Sequence, residues 1–323
     1  MKTRTVLSGI KPTGQIHVGH YVSCIKPIIE LQQQNNTSTL TMIADLHALT
    51  KSDQSFQERK ECTNHIIAAF FACGIENNAQ HHIYLQSRIT PITELMWILS
   101  SVTPLALLKR AHAIKGLEDK DVSFGLFSYP VLMAADIIAC QADEVLVGKD
   151  QAQHVEITRD IIDRMNQVYK VNLPLVNSKI IDEEMVLGTD GRKMSKSYDN
   201  TIPMFGTEDQ IVKAVRKIVT SSTPSTHPKD PYTCNVFSIY KKLATLQQIR
   251  SLCVRYLNGI SYNEAKDELI DVILKLFNTP RENYLYLIKN TDLLHNYVNL
   301  GAVPVLEKSK TLVHQLKLDL GFI

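Results

Sequence analysis

No stretch of the 323 residues approaches the roughly 18 uninterrupted apolar residues that span a bilayer. The start, Met1 to Gly9, lacks the apolar core of about 7–15 residues that a secretion signal needs. A cytoplasmic protein with no membrane partner is expected. Strong charge of either sign is missing too: 35 Lys+Arg face 33 Asp+Glu, a net charge of +2. So small an excess does not announce a nucleic-acid binder. The six cysteines form no Cys-x-x-Cys pair, and the eleven histidines form no His-Glu-x-x-His. Zinc knuckles, thioredoxin-type motifs and zinc-protease helices are therefore unsupported, and no protein-held metal is expected. The cysteines read as small buried apolar residues. Neither the triphosphate loop G-x-x-x-x-G-K-[ST] nor the dinucleotide fingerprint G-x-G-x-x-G occurs.

What is present is the composition of a globular protein, 44% hydrophobic and 21% charged, which excludes general disorder. The length suits two domains better than one. In the first half, strand-like and helix-like pieces alternate. Arg4 to Ser8, Thr39 to Ala44, Ile83 to Leu85 and Glu144 to Gly148 read as strands. Gly19 to Gln34, Phe56 to Cys73, Thr93 to Ser101, Pro130 to Cys140 and Asp150 to Val168 read as helices, with Gly74 a natural stop and Pro130 a natural start. Such alternation implies βαβ units and a parallel sheet. After Pro203 the pattern is helical apart from a Ser/Thr/Pro loop at 220–233. Helices are expected at Glu208 to Val219, Val236 to Gln248, Ile249 to Leu257, Tyr262 to Phe277, Arg281 to Ile288 and Val305 to Leu320. The expected fold is α/β, with a Rossmann-like domain over 1–195 and a smaller all-helical domain over 196–300. A C-terminal helix over 301–323 would pack back on the first domain. Up to Ser195 the charge is −2 and beyond it +4, which would let a polyanion lie on the second part.

Two short segments carry chemistry. Gly9-Ile10-Lys11-Pro12-Thr13-Gly14-Gln15-Ile16-His17-Val18-Gly19-His20 follows the first strand and opens a helix. Such a turn offers free backbone N–H groups and a positive helix end to an anion. His17 and His20 add donors for charge that grows on a phosphate. Gly19 would let a flat base come close. The second segment, Asp190-Gly191-Arg192-Lys193-Met194-Ser195-Lys196-Ser197, lies where the architecture changes. Lys193 and Lys196 on a glycine-hinged loop could close over a triphosphate and stabilise a departing pyrophosphate. Taken alone, either has an ordinary reading, a capped helix turn or a solvated basic loop.

Together, in this order and context, His-x-Gly-His and Lys-Met-Ser-Lys-Ser resemble class I aminoacyl-tRNA synthetases. The stretch from Phe127 to Ile137 and that from Ala142 to Asp160 look like the tryptophanyl-tRNA synthetases among them. The resemblance runs over most of residues 5–200 and is weaker beyond. It implies activation of L-tryptophan with ATP and Mg²⁺, release of pyrophosphate, and transfer of the tryptophanyl group to the 3′ end of tRNA(Trp). It also implies a homodimer whose helical domain reads the anticodon.

The residues of one helix agree with an indole ligand. Tyr129, Met133 and Ile137 recur at i, i+4 and i+8, with Asp136 beside them. An apolar stripe with one carboxylate suits a flat ring that has one N–H donor and no acceptor. An isolated stripe of this kind could equally be core, with Asp136 a solvated charge. The resemblance implies that Asp136 accepts the indole N–H. It places Gln151 at the amino or carboxylate group, Val145 and Val147 against the ring, and His47, Leu7 and Gly9 around the same pocket. ATP would meet Lys11, Pro12, Thr13, Gly19, His20, Gly148, Lys149, Asp150, Met185, Lys193, Met194, Ser195, Lys196 and Ser197. His17, His20, Lys193 and Lys196 would be catalytic. Lys11, His20 and Lys149 stand where many bacterial relatives carry Gln, Asn and Glu, and the Lys11-Pro12-Thr13-Gly14 turn and the Gly188-Thr189-Asp190-Gly191 lead-in look like a second branch of the family. The nearest rival is tyrosyl-tRNA synthetase, whose pocket needs more polar groups for a phenol than Val131 to Ile138 offers. A silent tRNA-binding relative would be expected to lack a motif histidine or lysine, and none is lacking here.

Overall fold

The computed structural model describes residues 3–50, 54–111, 122–180 and 185–323. β1 (Arg4–Ile10) runs into the histidine turn and a short α1 (Val18–His20). A π-helical turn, Tyr21–Ile25, then leads into α2 (Lys26–Gln32). Next come β2 (Thr37–Ile43), α3 (Asp45–Ala48), α4 (Phe56–Ala72), β3 (His81–Leu85), α5 (Pro91–Ser100), α6 (Leu105–Leu108), α7 (Phe124–Ala139), β4 (Glu144–Val147), α8 (Ala152–Tyr169) and β5 (Asn177–Ile180). All described strand pairs are parallel, in the order β3-β2-β1-β4-β5. Helices make up the rest: α9 (Glu208–Arg216), α10 (Asn235–Leu243), α11 (Leu246–Asn258), α12 (Tyr262–Lys289) and α13 (Thr291–Asp319).

The alternation of strand side chains divides the core in two. Val6, Ile43, Ile83 and Leu146 face one cluster, shared with α2, α4 and α9–α12. Leu7, Leu40, Met42, Tyr84, Val145 and Val147 face the other, shared with α5, α7, α8 and α13. Capping boxes start the helices where the sequence supplies them, as at Ser55/Glu58 and Ser261/Glu264. α13 lies across β3 and α7. A Cβ on Gly301 would stand 2.1 Å from the Ile83 carbonyl oxygen, and buried Ser309 donates to the Ala139 carbonyl at 3.1 Å.

Several expected boundaries move. Pro130 lies inside α7, seven residues into a helix capped by Ser123. Pro280 lies inside α12, joining two expected helices, and Pro304 lies inside α13. In each case apolar residues on both sides of the proline are buried, within one cluster for α12 and across both clusters for α13, and this packing outweighs the lost hydrogen bond. β5 had no counterpart in the sequence reading.

Candidate active site

In the order β3-β2-β1-β4-β5 the winding reverses between β1 and β4, so a crevice opens beyond their carboxyl ends. The histidine turn leaves β1 there, and Gly148 leaves β4 beside it. The turn needs its glycines. Gly14 has φ +76°, and a Cβ on it would stand 3.2 Å from Lys196 Cδ. A Cβ on Gly19 would stand 2.9 Å from the His17 ring and 3.4 Å from Met194 Sδ. Val18 N–H donates to the Ile202 carbonyl at 3.0 Å, and His17 bridges Pro203. The two signature segments, about 180 residues apart in sequence, are therefore packed against each other.

His17 N–H donates to His20 Nδ1 at 3.2 Å, and the two rings lie 3.8 Å apart. As an acceptor, His20 Nδ1 carries no proton, which leaves Nε2–H as the donor of a neutral ring. Burial and then the neighbouring His20 push His17 down to about 3, and burial pushes His20 down to about 4. Both are therefore neutral donors at pH 7.

The lysine–serine loop is a small folded unit. Leu187 bridges Lys193, Gly188 N–H donates to the Arg192 carbonyl at 2.7 Å, and Met194 N–H donates to the Val186 carbonyl at 2.8 Å. Asn200, 1% exposed, pins it. Its Nδ2 donates to Asp190 Oδ1 at 2.7 Å and to the Lys193 carbonyl at 3.0 Å, and its Oδ1 accepts from Ser195 N–H at 2.7 Å. The Asn200 bond, with help from Arg192, holds the Asp190 carboxyl down at about 2. Ser195 caps a short turn of Lys196–Tyr198 by accepting from Ser197 N–H. Met194 is buried, while Lys193, Lys196 and Ser197 are exposed.

The carboxylate of Asp136 is buried, 1% exposed, so it is not a solvated charge. His47 Nε2 donates to Oδ2 at 2.9 Å. Gln86 Nε2 donates to Oδ1 at 3.0 Å and to Oδ2 at 2.8 Å. Burial raises the Asp136 carboxyl, and the His47 and Gln86 bonds oppose that rise. The Tyr129 ring lies 4.5 Å from the His47 ring and 5.2 Å from that of His154, and Lys11 Nζ sits 4.5 Å from its centre. Tyr129 Oη donates to Gln151 Oε1 at 3.5 Å.

The remaining expected site residues scatter more. Leu7 and Val145 are paired across β1 and β4, and with Val147 they are buried. Gly9 approaches Met42 Cε, 3.3 Å from where its Cβ would stand. Pro12 is buried and Thr13 N–H donates to the Lys11 carbonyl. Met133 is half-buried on the α7 face, whereas Ile137 is buried and lines a separate cavity of about 220 Å³ with Ile162 and Leu312. Lys149 and Met185 are exposed, and the Asp150 side chain lies outside the described residues. Gln86 and Asn200 are absent from the sequence reading; a lone amide at a strand end or after a loop is too common to signal a role.

The tRNA synthetases class I (W and Y) family matches residues 2–290. The tryptophan–tRNA ligase of Fusobacterium nucleatum is 40% identical over 319 residues, 95% of this chain and 97% of its own. That of Campylobacter jejuni is 39% identical over 92% of this chain and 93% of its own. The crystal structure of Campylobacter jejuni tryptophanyl-tRNA synthetase, complexed with ADP and tryptophan, superposes with a TM-score of 0.88. It is 37% identical and covers 98% of this chain and 99% of that one. A tyrosyl-tRNA synthetase from Archaeoglobus fulgidus reaches a TM-score of 0.67 at 19% identity, a likeness of fold alone. With both signature segments packed together over one crevice and this span of similarity, the chain belongs to the class I tRNA synthetases of the tryptophan and tyrosine family, on its tryptophanyl branch.

Proposed function

We propose that the chain is a tryptophan–tRNA ligase that joins L-tryptophan to ATP as tryptophanyl-adenylate, releases pyrophosphate, and transfers the tryptophanyl group to the 3′ end of tRNA(Trp). The observation that carries this reading is the seating of Lys196 on Gly14 and of Met194 on Gly19, with Lys11 of the same turn over the Tyr129 ring, which lies against the His47 that is bonded to Asp136. One crevice thus offers anion donors next to an acceptor lined by aromatic rings. The tryptophan carboxylate oxygen attacks the α-phosphorus, and the bond to pyrophosphate breaks. His17 and His20 donate N–H bonds to the phosphate oxygens as charge grows on them, and Lys193 and Lys196 neutralise the leaving pyrophosphate. Mg²⁺ enters on the triphosphate of the substrate. Asp136 accepts the indole N–H, and Tyr129, Met133, Val145 and Val147 wall the ring. Gln151 and Lys11 face the substrate's amino and carboxylate groups. Gly148, Asp150 and Met185 serve the ribose and adenine.

The reading also includes a cytoplasmic homodimer, with residues 1–195 making the adenylate and 196–300 reading the anticodon. Charging of a tRNA(Trp) transcript with labelled tryptophan tests it. Tryptophan should accumulate on tRNA(Trp) and not on tRNA(Tyr); equal charging of both would contradict the assignment.

A further inference from the structure

Gln86 directly follows β3, opening the 3-10 turn Gln86–Arg88, and is 0% exposed. Its two amide atoms face different elements. The Oε1 atom accepts from Leu46 N–H at 3.1 Å and from His47 N–H at 3.2 Å, both on α3. That fixes which way the amide points, so Nε2 faces Asp136 on α7 and donates to both carboxylate oxygens. One side chain on the turn after β3 therefore joins α3 and α7 at the carboxylate. A carboxylate has about four lone-pair sites. His47 and Gln86 both load Oδ2, while Oδ1 takes only the longer Gln86 contact. Oδ1 is thus the oxygen left with capacity for one more N–H donor.

We propose that Gln86 is a positioning residue for tryptophan selection: its amide, locked by the α3 backbone, holds Asp136 so that Oδ1 is presented to the indole N–H. This rests on the reading of Asp136 as the indole acceptor. A buried acceptor held in one orientation discriminates against a ligand lacking the donor, because the carboxylate is then left short of a partner. Without the Gln86 amide, Asp136 keeps, among the described residues, only the His47 side chain and can turn away from the ring.

The test compares tryptophan with 3-benzothienyl-alanine, which has the same shape but sulfur in place of the ring N–H. Steady-state ATP–pyrophosphate exchange is measured for wild type, Gln86→Met, Gln86→Leu and Asp136→Ala. In Gln86→Met, kcat/KM for tryptophan should fall about tenfold or more, while that for the analogue stays within about threefold, so the preference collapses. Gln86→Leu removes the amide donor with a side chain of similar bulk and no titratable group, and the preference should collapse there too. It is the variant to use if Gln86→Met does not fold. Equal losses for both substrates, or an unchanged preference in Gln86→Leu, would make Gln86 a structural residue only and overturn the proposal. Asp136→Ala separates the two layers. If it too leaves the preference intact, the reading of Asp136 itself is wrong. If it abolishes the preference and the Gln86 variants do not, only the positioning role fails.

Discussion

Replacing Asn200 with alanine should slow adenylate formation although Asn200 is not itself among the residues assigned to substrate. The magnitude follows from what the side chain holds. Asn200→Ala removes three hydrogen bonds, to Asp190 Oδ1, the Lys193 carbonyl and Ser195 N–H. Each is worth about 1 kcal/mol net, somewhat more for the one to a carboxylate. The loss is on the order of 3 kcal/mol, and it falls on the loop between Asp190 and Ser197 rather than on the core. The side chain also fills the space next to Gly188, where a Cβ would stand 2.3 Å from the amide carbon, so its removal leaves a gap. Water reaches the exposed part of the loop and restores some of this. Since 1.4 kcal/mol is about a factor of ten, the lysines should be correctly placed about 10–100-fold less often. The assay is single-turnover formation of adenylate at saturating tryptophan and ATP. The rate should drop by that factor, with the tryptophan Kd unchanged and thermal unfolding little altered. A wild-type rate in a folded variant would show that the loop's geometry does not matter to the reaction.

Other perturbations read different parts of the site. Lys193→Ala or Lys196→Ala should slow adenylate formation by about 10²-fold, with tryptophan binding retained and transfer of preformed adenylate to tRNA spared, because pyrophosphate has left by then; equal slowing of both half-reactions would contradict a role in pyrophosphate departure. Asp136→Ala should cost about 1–3 kcal/mol in tryptophan kcat/KM, with the ATP KM little changed; a normal tryptophan kcat/KM would make Asp136 structural. Gly14→Ala forces a side chain to φ +76° against Lys196, and should cost about 1 kcal/mol in stability by denaturant titration together with activity. His17 and His20 are held at about 3 and 4 in the fold against 6.5 when unfolded. Their contribution is complete above pH 6.5 and is lost as pH falls toward 4, because the unfolded chain binds those protons first. The slope should reach up to about 1.4 kcal/mol per pH unit per histidine, and His20→Asn should make the denaturant midpoint less sensitive over that window.

How much of this was legible in the sequence differs by element. The inner strands stood out because they bury both faces and are dense in β-branched and aliphatic residues, as in Thr37–Ile43. β5 did not, because Asn177–Ile180 is a mostly exposed edge strand with no apolar pattern. The three prolines misled for the same reason: local propensity disfavours a helix at Pro130, Pro280 and Pro304, and only the tertiary surfaces overrule it. At the site, His17, His20, Lys193 and Lys196 were visible as short motifs. Their contact through Gly14 and Gly19 required the fold. Gln86 and Asn200 stayed hidden because their work is done through hydrogen bonds to residues 50 and 10 or fewer positions away, and no spacing rule encodes a lone amide. Ile137 shares a helical stripe with Tyr129 but turns into another cavity, since a stripe on a largely buried helix meets more than one neighbour.

The most direct test of the function is ATP–pyrophosphate exchange with each of the twenty amino acids offered in turn. A site that pairs a buried carboxylate with one ring N–H predicts exchange with tryptophan, and rates at least about 10²-fold lower with tyrosine. Comparable exchange with tyrosine, or none with tryptophan, would contradict it.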